Sequence, residues 1–502
     1  MCGIAGFCNF KEDFEENTDY WNFRLEKMRA VLAHRGNDAR GRYLKKHIGL
    51  SHSRLAIRDI LCGDQPMTRT HNGYDYTICY NGEIYNTDEL IPELSENGFV
   101  CSTTSDTEVI LYAYIHWGAD FVNRLNGIFA FAIWDAAKSR LLLYRDRVGV
   151  KPLFYAIRGD SLVFGSEPKA CFAHPAVKPE LDKQGLQELL AIGPAHTSGL
   201  SLFKDLFEVL PGHFMIYSRD GLHDETYWEL TSREHTESYR DTVAHTRFLV
   251  EDAIKRQMVS DVPVCTFLSG GIDSSIVTAI AANYMNTHGK TLNTFSFDFK
   301  DNDRYFKANA FQPERDLPYV NRMLEEYETA HSYLECDENS LFKALFAAVD
   351  AKDMPGMTDV DSSLLYFCSL VSRKNKVALT GECADEIFGG YPWFYRKELL
   401  ERYGFPWSSD VAPRLALLRD NVGLELDLSG YQAFRYEESR SKAPLLYGED
   451  GEDESRRIIG YLNIKWFMQT LLDRMDRTSM YSELEARVPF ADHRIIEYVF
   501  NV

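Results

Sequence analysis

Two patterns of apolar and polar positions divide the chain. Over residues 1–170 the apolar positions come in short runs bounded by turn residues, as strands and hairpins do. Ala130-Phe131-Ala132-Ile133-Trp134 and Arg140-Leu141-Leu142-Leu143-Tyr144 are joined by Asp135-Ala136-Ala137-Lys138-Ser139 and predict a hairpin. Val163-Phe164-Gly165-Ser166 predicts another short strand, and helices are expected over 21–33 and 106–117, with Asp106 near the second N-cap. Residues 190–235 are mixed, with turn signals at Gly193-Pro194 and Pro211-Gly212. They read as a connection holding one hairpin, 212–217 followed by 227–230. After about 240 the pattern changes to a helix over 239–258, an apolar run over 262–268, a Gly-rich turn and another helix. A strand over 294–299, helices over 317–328, 340–351 and 362–374, a strand over 376–380 and a last helix over 492–500 complete the reading. Alternating strands and helices imply a mostly parallel sheet covered on both faces. Ligands of such sheets sit beyond the carboxyl ends of the strands.

With 502 residues, 45% of them hydrophobic, the chain can build two or more cores. A net charge of −20 repels nucleic acid phosphates and anionic membranes, which excludes those partners and favours small-molecule substrates. The ten cysteines are scattered, with no CxxC pair and no zinc-like spacing, as expected of reduced thiols in the cytoplasm. No signal peptide is recognisable, and no apolar run approaches the roughly 18 residues of a membrane span. A homodimer is left open.

Three segments carry candidate chemistry. The chain begins Met1-Cys2-Gly3-Ile4-Ala5-Gly6. If Met1 is removed, Cys2 bears a thiol and a free α-amine with a pKa of roughly 8, a nucleophile that carries its own base. A lone Cys in an apolar run is more often simply buried. Next, Ser269-Gly270-Gly271-Ile272-Asp273-Ser274-Ser275 follows an apolar run and opens a helix. Glycines that let the backbone approach, a nest of N–H groups and a helix N-terminus together suit a phosphate. The turn lacks the Gly-Lys-Ser/Thr ending of a Walker loop. Asp273 suits it if Mg²⁺ bridges the oxygens. The third, Thr380-Gly381-Glu382-Cys383-Ala384-Asp385-Glu386, bunches three carboxylates at a strand end. A helix start alone would account for Asp385 and Glu386.

The turn at 269–275 resembles the pyrophosphate loop of enzymes that split ATP into AMP and pyrophosphate. Taken with the N-terminus, the whole chain resembles the glutamine-dependent asparagine synthetase family. The matching segments are Cys2–Gly6, His34-Arg35-Gly36, Ser53–Ile57, Tyr80–Asn86, Thr104–Glu108, Arg145–Leu153, Gly165–Glu167, Ser269–Ser275, Thr380–Tyr391 and Glu485–Phe490. The resemblance implies two domains. Residues 1–190 would form a class II glutamine amidotransferase domain, an α+β N-terminal-nucleophile hydrolase with a four-layer αββα sandwich. Residues 191–235 would connect it to an α/β parallel-sheet pyrophosphate-loop synthetase domain over 236–502, expected to be C-terminally truncated.

The roles implied are these. Cys2 attacks the glutamine amide; the Asn81 side chain and Gly82 N–H form the oxyanion hole. Arg54, Leu55, Ala56, Ile57, Arg58, Asn81, Gly82, Glu83 and Asp106 bind glutamine, with Arg54 on its carboxylate and Glu83 and Asp106 on its ammonium. Leu268, Ser269, Gly270, Gly271, Asp273, Ser274, Ser275, Phe297, Thr380, Gly381, Glu382 and Arg477 bind ATP; Asp273 and Asp385 bind Mg²⁺; Glu382 is an acid/base or orienting group. Arg477 stands where several relatives carry Lys, and the two differ in geometry. Taken singly, Asn-Gly is a hairpin turn, an Arg a surface charge and Asp106 a helix cap. The expected reaction moves the glutamine amide nitrogen to aspartate through β-aspartyl-AMP, releasing glutamate, AMP and pyrophosphate. Two alternatives stay open: the same chemistry on another acceptor (a sugar, a peptide or a ring-closing carboxylate), or a non-catalytic glutamine- and ATP-binding protein. Residues 354–363 are expected to line the acceptor pocket.

Overall fold

A computed structural model describes residues 2–308, 314–408 and 410–502. In the first half the strands are β1 (Cys2–Asn9), β2 (Ala39–Lys45), β3 (Ile48–Arg54), β4 (Met67–His71), β5 (Tyr74–Ile84), β6 (Gly127–Asp135), β7 (Arg140–Arg145), β8 (Phe154–Arg158), β9 (Ser161–Gly165), β10 (Phe207–Glu208), β11 (His213–Ser218) and β12 (Gly221–Thr226). They form two six-stranded antiparallel sheets, ordered β10-β8-β9-β1-β3-β2 and β12-β11-β7-β6-β5-β4. Ile4, Cys8, Leu50, Cys79, Ala132 and Leu143 fill the space between the sheets. The helix Thr18–Ala30 covers the outer face of the first through Trp21, Leu25 and Met28. The helices Thr87–Glu96 and Asp106–Trp117 cover the second. Helix, sheet, sheet, helix is the expected αββα sandwich.

The hairpin expected at 130–144 is β6–β7, paired from Ala130↔Arg145 to Asp135↔Arg140. The segment 191–235 departs from its reading as a connection. β10 pairs with β8, and β11 pairs with β7 and β12, so this stretch is built into the edges of both sheets. The second arm of its hairpin is 221–226, not 227–230.

The second half contains β13 (Val264–Phe267), β14 (Leu292–Phe299), β15 (Thr329–Cys336), β16 (Val377–Leu379) and β17 (Glu485–Arg487), in the order β15-β14-β13-β16-β17 and parallel throughout. The helices Tyr239–Arg256, Leu317–Glu326 and Glu338–Lys352 lie within two residues of expectation at either end, Thr358–Val371 begins four residues earlier and ends three earlier, and the helix expected after the Gly-rich turn is Ile272–Thr287. β15 and β17 were not expected. β15 is an edge strand with largely polar, half-exposed side chains, so it carries no buried-strand signature. Helices over the described residues 397–408 and 410–480 include the long helix Met468–Met480, most of whose residues are buried. The two halves share a core: Leu55, Ile57, Val148 and Val150 join Val264, Val377, Met468 and Phe490. No helix is long and apolar enough to cross a membrane among the described residues.

Candidate active sites

Cys2 opens β1 and faces Arg54 across the pairing of β1 with β3. It is 7% exposed. Burial pushes its thiol up, while the backbone N–H of Leu55 and the Arg54 guanidinium act the other way. On β5, Asn81 Oδ1 accepts the Cys2 N–H at 2.9 Å. That bond fixes the orientation of the amide and leaves Asn81 Nδ2 buried with no hydrogen-bond partner. An unpartnered buried donor is costly, so the site holds a polar group ready for an oxygen. Gly82, next in the strand, has φ 156°, and a side chain there would meet Ile128 O at 2.2 Å.

The expected carboxylate clamp is placed differently. Arg54 Nη1 donates to Ile60 O and Asp64 Oδ1, and Nη2 to Arg58 O and Asp59 O. Arg54 therefore anchors the loop 58–64 beside Cys2 rather than offering an open fork. Leu55 and Ile57 are in the shared core, and Ala56 N–H donates to Asp38 Oδ2. Arg58 bonds Ile84 O and lies 4.0 Å from Glu83. Asp106 Oδ2 accepts from the Tyr80 hydroxyl and the Ile84 N–H. Glu83 reaches the second half of the chain, with Oε1 3.5 Å from Arg487 and Oε2 buried without a hydrogen-bond partner. Burial raises its carboxyl above the usual range; Arg487 opposes this, and Glu485 and Asp106 reinforce it.

The second centre lies beyond the carboxyl ends of β13 and β16. Ser269 and Ser274 hydroxyls are 2.9 Å apart, Ser274 Oγ donates to Gly271 O, and Gly270 has φ 85°. The two turns touch: a Cβ on Gly381 would stand 2.9 Å from Asp273 Cβ. Between them is a cavity of about 430 Å³ lined by Ser269, Gly271, Asp273, Ser274, Thr380, Gly381, Glu382, Asp385 and Arg474, among others. Its carboxylates crowd one another. Asp273 is pushed up to about 6 by burial and by Asp385 and Glu382. Burial and then Glu382 raise Asp385. Burial likewise lifts Glu386 to about 7 against the Tyr391 hydrogen bond. Crowded carboxylates of this kind suit a hard cation held by one or two carboxylates and the substrate's phosphates. Among the described residues no group of three or more metal-binding side chains is preformed.

Several expected nucleotide contacts lie off this cavity. Leu268 is 1% exposed, and its N–H donates to Phe295 O; Phe297 packs on Phe367, whose ring lies 5.3 Å away; Gly270 and Ser275 belong to the turn but are not among the lining residues. Arg477 also lies off the cavity. It is fully buried, with Nε bonded to Ala351 O and Nη2 to Asp353 Oδ2, and it lies 3.5 Å from Glu167 of the first half. The cavity's cation is Arg474, one turn earlier, whose Nη2 donates to Glu382 Oε1 at 3.0 Å. A one-turn choice between arginines on one helix leaves no trace in sequence. Met357 and Leu364, within and just after the expected acceptor segment, line the same cavity.

The fold and the two centres define a glutamine amidotransferase joined to an ATP-dependent synthetase. The family profile described as a glutamine amidotransferase domain matches residues 1–228, and the asparagine synthase profile matches residues 245–502. The chain is 48% identical to asparagine synthetase [glutamine-hydrolyzing] 3 of Bacillus subtilis, covering all of this chain and 81% of that protein. It is 29% identical to asparagine synthetase [glutamine-hydrolyzing] 1 of the same organism, with the same coverage. The amidase chyE of Penicillium rubens is also 29% identical, over all of this chain and 82% of that one. The chain belongs to the glutamine-hydrolysing asparagine synthetase family.

Proposed function

We propose that this protein makes asparagine from aspartate, ATP and the amide nitrogen of glutamine. The observation that carries the reading is the presence, in one chain with one shared core, of a thiol beside an unpartnered amide donor and a carboxylate-lined cavity at a pyrophosphate-type turn. With Met1 removed, the nitrogen of Cys2 becomes an amine able to take the thiol proton through water. The thiolate attacks the glutamine side-chain carbonyl, and the oxyanion meets Asn81 Nδ2 and the Gly82 N–H. Ammonia leaves, and water hydrolyses the γ-glutamyl thioester to glutamate. Glu83 and Asp106 offer carboxyl oxygens to the substrate ammonium, whose charge would favour ionised Glu83 against its burial. Its carboxylate would reach Arg54 by displacing carbonyls of the loop 58–64.

At the second centre the side-chain carboxylate of aspartate attacks the α-phosphorus of ATP, releasing pyrophosphate and forming β-aspartyl-AMP. Ammonia then displaces AMP. Asp273 and Asp385 would hold Mg²⁺, which offsets phosphate charge when bound. The turn 269–275 presents N–H groups and hydroxyls to pyrophosphate, and Arg474 orients Glu382. The buried polar atoms Glu83 Oε2, Tyr85 OH and Arg487 Nη2, each without a hydrogen-bond partner, lie where the halves meet, with Arg487 Nη2 3.5 Å from Glu83 Oε1. This polar seam supports internal passage of ammonia, which bulk water near neutrality would protonate.

Two substitutions test the reading. Cys2→Ala abolishes glutamine-driven synthesis and leaves synthesis from added ammonia, whereas Asp273→Ala abolishes pyrophosphate release and spares glutamine hydrolysis. Full glutamine-driven synthesis by Cys2→Ala would overturn the assignment, and pyrophosphate release across a panel of carboxylates fixes the acceptor.

A further inference from the structure

Cys2 is held at both ends of its backbone by side chains. Asn81 accepts from its nitrogen, and Arg35 Nε donates to its carbonyl oxygen at 3.1 Å. Arg35 is fully buried and donates from every side of its guanidinium. Nη1 bonds Glu167 Oε1 at 2.9 Å, and Nη2 bonds Asp476 Oδ2 at 2.8 Å. Glu167 belongs to the first half, but Asp476 lies on the helix Met468–Met480 of the second. The other oxygen of Asp476 accepts from Lys151 Nζ at 3.0 Å, again within the first half. All four side chains are at most 1% exposed. Burial alone would raise the Asp476 carboxyl; Arg35 and Lys151 outweigh it and keep Asp476 ionised.

We propose that Asp476 is a positioning residue for the Cys2 nucleophile, so that the glutaminase centre is complete only when the synthetase half is docked. This rests on the glutaminase reading given above. The guanidinium is planar and its donors are fixed relative to one another. Withdrawing the acceptor on Nη2 therefore frees the plane to turn, and Nε leaves the Cys2 carbonyl. The Cys2 backbone is then held by its strand pairing with Arg54 and by Asn81, and small displacements of a nucleophile are expensive in rate. The same helix also carries Arg474, bonded to Glu382 in the nucleotide cavity. One rigid element thus touches both centres.

The test compares Asp476→Ala with Lys151→Met in the full-length protein, using a diazoketone analogue of glutamine. The Cys2 sulfur displaces dinitrogen from the analogue, and mass spectrometry reads the adduct. In Asp476→Ala the alkylation rate and the kcat for glutamine hydrolysis each fall at least tenfold. The KM for glutamine changes less than threefold, and ammonia-driven synthesis stays within twofold of wild type. Asp476→Asn, which keeps an oxygen within reach of Arg35, recovers most of the loss. Lys151→Met, which leaves the Arg35 contact intact, stays within threefold of wild type. Wild-type alkylation of Asp476→Ala overturns the proposal, as does an equal fall in ammonia-driven synthesis. Should Asp476→Ala fail to fold, Arg35→Lys, whose single nitrogen cannot span acceptors that meet three separate guanidinium nitrogens, must show the same tenfold fall with ammonia-driven synthesis retained; a wild-type rate again overturns the proposal. No adduct on wild-type Cys2 would instead sink the glutaminase reading itself.

Discussion

The two ends of the Asn81 amide are unlike: its oxygen accepts from Cys2, and its nitrogen is buried with no hydrogen-bond partner. Arginine geometry is equally decisive at the other centre. Arg474 and Arg477 are three residues apart, yet one bonds Glu382 at the cavity and the other bonds Asp353 at the buried interface. Their substitutions therefore have different signatures. Arg474→Ala raises the KM for ATP or lowers pyrophosphate release by at least tenfold while leaving thermal stability nearly unchanged. Arg477→Ala leaves the KM for ATP within twofold but breaks a buried ion pair, a loss of about 3–5 kcal/mol, and lowers the melting temperature. Parallel steady-state kinetics and thermal melts distinguish the two; a tenfold KM change in Arg477→Ala would return that residue to the nucleotide site.

Elements that announce themselves by turn chemistry were readable in advance. The β6–β7 hairpin follows from an apolar run, a five-residue turn and a second apolar run. The helix Asp106–Trp117 follows from its start signal, with Ser105 rather than Asp106 as the capping side chain. The Gly-rich turn is legible because two glycines and three serines have few other uses after a buried strand. β15 was invisible because an edge strand needs no apolar alternation. The segment 191–235 was misread for a related reason: short edge strands resemble a linker in composition. It is secured by charge instead. His196 Nε2 donates to Glu208 Oε1 at 3.0 Å, and Arg145 of β7 donates to the other Glu208 oxygen. Burial opposes the His196 charge, but Glu208 wins and lifts its pKa to about 9. The folded value lies above the unfolded value of about 6.5, so the stabilisation is full below that pH and fades as pH rises towards 9. That window corresponds to about 3 kcal/mol. Melting temperatures measured from pH 6 to 9 fall accordingly, and His196→Gln flattens this part of the profile; an unchanged slope would show that the pair does not titrate.

At the scale of the whole molecule, the two reactive centres are joined through packed protein. The shared core takes in Leu55 and Ile57, next to Arg54 of the first centre, and Cys383 and Ala384, next to Glu382 and Asp385 of the second. Ammonia released at Cys2 is therefore expected to reach the adenylate without mixing with solvent. With unlabelled glutamine and an equal concentration of ¹⁵N-ammonium in the buffer, the asparagine formed carries little ¹⁵N, below about a tenth of the product. Near-equal labelling would mean that the intermediate escapes. The buried contact of Arg35 and Lys151 with Asp476 has a consequence for protein engineering. If the halves were expressed from separate reading frames, one fragment would carry two cations and the other an anion on faces meant to stay dry. Such pieces have every reason to reassemble in a co-expression or complementation assay, and to precipitate when made alone.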